Sequence, residues 1–242
     1  MYLREVLTRP SNTMEEQQRS VATVVGEPVN LRMIQQLNIG NRIESSLINI
    51  LMKIFSYRDN RISNSHRTVN ENKQNYIPYQ KSAYYSANVL DLIQDDNADI
   101  NNILGEINDW NYYRAYFPYI LQPNNDRWVL FVIDTQLKHV YYIDPMIDRD
   151  ANVPDYVAGL TNTIRDKVLA RTHGFVANQW QVLSYHNRFY QLCENDIDNG
   201  IYIFAIIYHL TVNCPIYICQ HWTNNIRVNI AHWILKSEYL PI

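Results

Sequence analysis

DRWVLFVIDTQLKHVYYIDPM, residues 126–146, decides the fold. Arg127–Ile133 is a near-continuous apolar run, the pattern of a strand buried on both faces. Asp134-Thr135-Gln136-Leu137-Lys138 reads as a polar turn. His139–Ile143 is rich in β-branched and aromatic residues and ends at Asp144-Pro145, where proline stops a ladder. The stretch is therefore a β-hairpin with both strands in a core.

The segments on either side extend this reading. Arg114–Leu121 (RAYFPYIL) is a strand that leads through Gln122-Pro123-Asn124-Asn125 into the hairpin, and Trp180–Tyr185 is a further strand. Ile43–Tyr57 carries apolar residues at 43, 47, 48, 50, 51, 54 and 55, the stripe of a mostly buried helix with Ser45 or Ser46 as its cap. Pro154–Arg171, with apolar positions 157, 160, 164, 168 and 169, is amphipathic with Pro near its start. Ile201–Val212 is apolar on all sides and, after Asn199-Gly200, reads as a central buried helix. Asn224–Lys236 is a last amphipathic helix. Weaker signals give a strand at Ser20–Val25 after a turn at Thr8–Asn12. Three short helices are expected, at Pro28–Leu37, Tyr84–Leu92 and Ile100–Trp110. Arg58–Gln80 is polar and without period, and reads as a loop insertion. One α+β domain over 1–242 is expected, with 1–26 as an N-terminal extension and 58–80 as the insertion.

Bulk composition narrows the function. A net charge of −3 and a pI of about 6.1 give no polyanion-binding signature, so nucleic acid is not suggested. Cys193, Cys214 and Cys219 form an odd set without a CxxC pair, which favours a reduced setting over a disulfide framework. No run approaches the 18 apolar residues of a membrane span, and the expected location is intracellular, nuclear or cytoplasmic.

The hairpin resembles that of the ubiquitin-like-protein (SUMO-type, Ulp/SENP) cysteine proteases. In that family the first strand opens on His-Trp and the second ends on Asp. Trp128 and Asp144 are present, and Arg127 stands at the His position, seventeen positions before Asp144 as in the family. Further along, Cys193-Glu194-Asn195-Asp196-Ile197-Asp198-Asn199-Gly200 resembles the segment that presents the catalytic Cys at a helix start. Asn195, Asp198 and Gly200 match. Asn199 occupies the nucleophile position and Cys193 the oxyanion-hole Gln position. Asn41–Ile48 is similar to the helix start whose Trp clamps the substrate's Gly-Gly tail, with Arg42 at the Trp. The helix around Ile226–Leu235 is similar to the family's last one. The resemblance spans about 29–237 and implies a papain-like α+β fold, a central mixed sheet flanked by helices.

It also implies lost chemistry. Arginine stays protonated and cannot act as a general base, and an amide is no nucleophile. Triad members act as a unit, so these losses remove most of the rate enhancement. The expectation is a pseudoenzyme without cofactor: a protein-binding or scaffold module whose former groove is lined by Arg42, Arg127, Trp128, Asp144 and Asn199. Asp144 would pair with Arg127. Trp128 is read equally as a core residue. The partner expected is a protein, with a ubiquitin-like protein one candidate. Two alternatives stand beside it. One is a hydrolase using a displaced Cys193, with His186 as its base. The other is a structural or assembly protein of a virus or mobile element; adenovirus-type proteases share this core, and Tyr142-Ile143-Asp144-Pro145 is similar to their strand end. Cys214, Cys219, His221 and His232 at zinc-like spacing are read as structural residues, the thiols buried, and His139 and His209 as core or rim histidines.

Overall fold

The computed structural model describes residues 13–70, 81–104, 112–121, 127–147, 155–171, 175–184 and 192–235, the side chains at 66–70 and 184 excepted. The chain divides into two compact units, Ser63–His186 and Met1–Ile62 with Asn187–Ile242.

The unit built from Ser63–His186 holds the hairpin. Numbered with the elements of the whole chain, its strands are β3 (Ala83–Tyr84), β4 (Arg114–Leu121), β5 (Arg127–Asp134), β6 (His139–Ile143) and β7 (Gln181–Ser184), in the spatial order β3-β4-β5-β6-β7. The three middle strands run antiparallel, and each outer strand is parallel to its neighbour, so the sheet is mixed. Register runs from Arg114↔Asp134 to Leu121↔Arg127 between β4 and β5, and from Leu130↔Ile143 to Asp134↔His139 between β5 and β6.

β5 is central, which explains its unbroken apolar run. Val129, Phe131 and Ile133 face one side and pack with Val89, Leu90 and Ile93 of α4 (Val89–Gln94), Ile100 and Leu104 of α5 (Ile100–Leu104), and Val157, Leu160 and Ile164. Trp128, Leu130 and Val132 face the other side and are also buried. The 155–171 helix has the expected span and apolar face. It is α-helical over Asp155–Thr163 (α6), passes through a π turn at Ile164–Val168 and closes in a 3₁₀ turn at Leu169–Arg171. The hairpin turn closes with Lys138 at φ 56°, while the Asp134 carboxylate accepts from Leu137 N–H (3.0 Å) and pairs with Arg114 (3.0 Å).

The other unit begins with α1 (Met14–Gln18) and a two-residue hairpin between β1 (Ser20–Val24) and β2 (Glu27–Asn30). Val25 and Gly26 both have positive φ (51° and 79°), as a primed turn requires. α2 (Leu31–Gln35) follows, then the long α3 (Ser45–Asn70). α7 (Asn199–Thr211) is apolar all round, and residues 199–207 are buried. Phe204 stacks on Phe55 of α3 (centroids 5.4 Å) and on Trp233 of α8 (Thr223–Leu235; 6.1 Å).

Several expectations change. The polar stretch read as a loop continues α3 to Asn70, with Arg58 and Asp59 buried in it; residues 71–80 lie outside the described set. Pro28–Leu37 is not one helix. Residues 27–30 pair with β1, and Asn30 caps α2 by accepting from Met33 N–H at 2.9 Å. Ser45 opens α3 instead of capping it, since Leu47 and Ile48 donate to the Glu44 carbonyl. Tyr84–Leu92 splits into β3 and the start of α4. The expected turn at 8–12, the chain beyond Leu104 to Trp110, and 122–125 are outside the described residues.

A buried cation organises the start of α7. Arg227 is 1% exposed. Its Nε and Nη2 donate to Asp198 Oδ1 (3.1 and 2.7 Å), its Nη2 to the Ile197 carbonyl (3.2 Å), and its Nη1 to the carbonyls of Gln36 (3.0 Å) and Asn38 (3.3 Å). Asp198 also accepts from Gln220 Nε2 (2.5 Å), and its own N–H donates to Asn195 Oδ1 (2.8 Å). One guanidinium thus ties α2, the 195–198 turn and α8 together. Arg227→Met, which takes the cation from Asp198 and leaves the Gln36, Asn38 and Ile197 carbonyls without their donor, is expected to cost about 3–5 kcal/mol in urea unfolding. Asp198→Asn, which leaves the buried guanidinium without its counter-charge, should cost a comparable amount; a loss below about 1 kcal/mol for either variant would contradict this role.

Candidate functional site

Asp144 ends β6 because Pro145 cannot extend the ladder, and the turn that follows folds back onto its side chain. Met146 N–H donates to Oδ1 at 2.9 Å. Arg127, the first residue of β5, reaches the same carboxylate, with Nη2 2.9 Å from Oδ2. Tyr142 hydroxyl donates to Oδ2 at 3.0 Å and lies 2.8 Å from Tyr156 hydroxyl. Tyr142 has one proton and gives it to Asp144, so Tyr156 donates to Tyr142. Arg127, Asp144, Tyr142 and Tyr156 therefore form a chain of hydrogen bonds.

The electrostatics fit a structural cluster. Burial pushes the Asp144 carboxyl above its ordinary range, opposed by Met146 N–H, the Arg127 charge and Tyr142. Burial, then the Asp144 charge, holds Tyr142 far above the ordinary phenol range, so it stays a neutral donor. Arg127 remains charged: burial works against its charge, and Asp144 and then Tyr156 outweigh that. The expected Arg127–Asp144 ion pair is present. Sequence reasoning missed both tyrosines. Tyr142 was visible as the aromatic two residues before Asp144, on its side of the strand.

In the other unit, Asn199 is the first residue of α7 and fully buried, with Asp198 preceding it at φ −88°, ψ −5°. The expected helix start is thus where the sequence put it. Cys193 is 5% exposed and its thiol donates to the Asn195 carbonyl at 2.8 Å. Arg42 forms an exposed ion pair with Asp196. Of the five expected groove residues, Trp128 (2% exposed), Asp144 and Asn199 are buried. This corrects the reading of Trp128 as a groove residue, because a side chain that buried offers no contact area. Arg127, with 20% of its side chain exposed, and Arg42 keep solvent contact.

The remaining candidates separate. His186 and Gln191 lie outside the described residues. Cys214 is exposed and Cys219 intermediate, against the expectation of buried thiols: the run they bracket alternates, with Ile216 and Ile218 taking the core positions. No group of three metal-ligating side chains occurs among the described residues. His139 Nδ1 is 2.8 Å from Tyr141 hydroxyl, and burial lowers the pKa of His209, so both are rim histidines. No helix among the described residues is long and apolar enough to cross a membrane.

The mixed sheet with its helices, and the buried helix that starts at Asn199, define the fold of the SUMO-protease catalytic domains. The Ulp1 C-terminal protease domain, solved in complex with Smt3, the yeast orthologue of SUMO, superposes with a TM-score of 0.72 at 13% identity, over 99% of this chain and 94% of that one. The Ulp1-like SUMO protease catalytic domain of Chaetomium thermophilum gives 0.70 at 14% identity, over 99% and 89%. A de-sumoylating protease gives 0.53 at 11%, over 87% and 86%. No sequence-family model matches the chain, and no curated protein matches it in sequence.

Replacing Arg127 by Met leaves the Asp144 carboxylate without its cation, at an expected cost of about 2–3 kcal/mol near neutral pH. The Asp144 pKa, already raised by burial, then rises further. A carboxyl whose pKa is higher folded than unfolded binds more protons in the native state, so its contribution to stability falls as pH rises through that folded pKa. Urea unfolding of wild type and Arg127→Met across acid to neutral pH should therefore show a deficit that is largest at neutral pH and shrinks at acid pH.

Proposed function

We propose that the chain is a protease-fold domain without thiol-protease activity that serves as a protein-binding or scaffold module. The observation that carries this reading is the Arg127–Asp144 ion pair at 2.9 Å, where the fold's proteases place a His–Asp couple. A guanidinium held against a carboxylate takes up no proton from a nucleophile. Asn199 at the start of α7 supports the same conclusion, because an amide at that position forms no acyl intermediate. The thiol of Cys193, buried and already donating to a carbonyl, is poorly placed to replace it.

The partner is a protein, and a ubiquitin-like protein is the first to test, since the Ulp1 domain is solved with Smt3. Arg42 stands where the family's clamping Trp is found and is held by Asp196. A polar pair there does not sandwich a Gly-Gly tail, so recognition through the body of the partner is favoured over recognition of its tail.

Electrophilic SUMO, ubiquitin and NEDD8 activity probes test the reading in one gel. The expected result is no covalent adduct with any of them. An adduct that disappears in Cys193→Ser would overturn it. Immobilised wild type and an Arg42→Ala/Arg127→Ala variant, titrated with the same three proteins, then ask whether the exposed arginines contribute to binding. Loss of binding in the variant is the expected outcome for any of the three that binds.

A further inference from the structure

One cluster of nucleophilic groups lies outside the degenerate triad. Cys219 Sγ is 3.3 Å from His221 Nε2, on the segment that leads into α8. The imidazole is exposed and the thiol partly so. The loop is held firmly. Cys219 is extended at φ −138°, ψ 156°, and its carbonyl accepts from Trp222 N–H at 3.0 Å, closing the short turn that carries His221. Between the two, Gln220 accepts from Glu194 N–H (3.2 Å), donates to Asp198 Oδ2 (2.5 Å) and takes Thr223 Oγ1 on its carbonyl (2.8 Å).

Tyr202, on α7, is fully buried, and its hydroxyl has no hydrogen-bond partner among the described residues. Burial, with the charges of Cys193 and Cys219 adding to it, pushes its ionisation up, so the hydroxyl stays neutral. A buried hydroxyl without a partner is an unfavourable arrangement.

We propose that Cys219 is the reactive thiol of this protein, deprotonated by His221 and modified by small electrophiles, hydroperoxides first among them. The sulfur attacks the distal oxygen of the hydroperoxide. The S–O bond forms as the O–O bond breaks, the sulfur loses two electrons, and His221 passes the thiol proton to the leaving oxygen. The products are Cys219 sulfenic acid and water or an alcohol. Cys193 lacks solvent access. Cys214 has access but no base, its thiol lying 3.6 Å from the Val212 carbonyl.

The three thiols make the test internal. Exposure alone ranks Cys214 as the fastest to react. With iodoacetamide at pH 7 and site-resolved mass spectrometry, Cys219 is expected to react faster than Cys214 by on the order of tenfold or more. His221→Ala, a change at an exposed position, should abolish that advantage while leaving the Cys214 rate unchanged. After one equivalent of hydrogen peroxide, a dimedone adduct is expected on Cys219 in wild type and should be lost in His221→Ala. Faster labelling of Cys214, or a Cys219 rate indifferent to His221→Ala, would overturn the proposal.

Discussion

The ion pair between Arg127 and Asp144 is the constraint on which the hairpin end depends. Arg127 opens β5 and Asp144 follows the end of β6, and Asp144 is almost fully buried. A buried carboxylate persists only when its lone pairs are taken up, and here one backbone N–H, one guanidinium and one phenol take them. The pair fixes the start of β5 against the end of β6, and through Tyr142 and Tyr156 it reaches α6. The arginine thus holds by charge a carboxylate that a histidine would hold by hydrogen bonding. The end of the hairpin is thereby held by a charged pair.

The two units use the same device. In one, Arg127 and Arg114 each neutralise a buried aspartate at a strand end. In the other, Arg227 neutralises Asp198 at the residue before α7. Arg227 goes further, its planar fork spanning a carboxylate and three backbone carbonyls. Removing one partner of such a pair is costly, because the other remains buried. These positions are therefore expected to tolerate substitution less well than the larger apolar residues around them.

Much of this was legible in the sequence for identifiable reasons. β5 and β6 are buried on both faces, so their apolar runs carried the signal. α7 has no polar face and could only be internal. The resemblance to the SUMO-type proteases, with Arg127 and Asp144 at the family's His and Asp positions, implied the pair. What was not legible lacked an apolar period. Residues 58–70 continue α3 with arginine, asparagine and serine, and the buried Arg58 and Asp59 replace the hydrophobic residues that would have marked a core face. Pro28–Leu37 had helical spacing across a strand and a helix, and only Asn30 as a cap marked the break. Arg227 was readable in principle: Thr223, Arg227, Ile230, Ala231 and Ile234 share the buried face of α8, and a cation in that register demands a buried acid.

The claim that Arg127 and Asp144 form a structural pair in place of catalytic machinery is tested most directly by a double-mutant cycle. Arg127→Met, Asp144→Asn and the double variant are compared with wild type in urea unfolding at neutral pH. A coupling energy of about 1 kcal/mol or more is expected, with the double variant less damaged than the sum of the single changes. Additivity within about 0.5 kcal/mol would contradict the account.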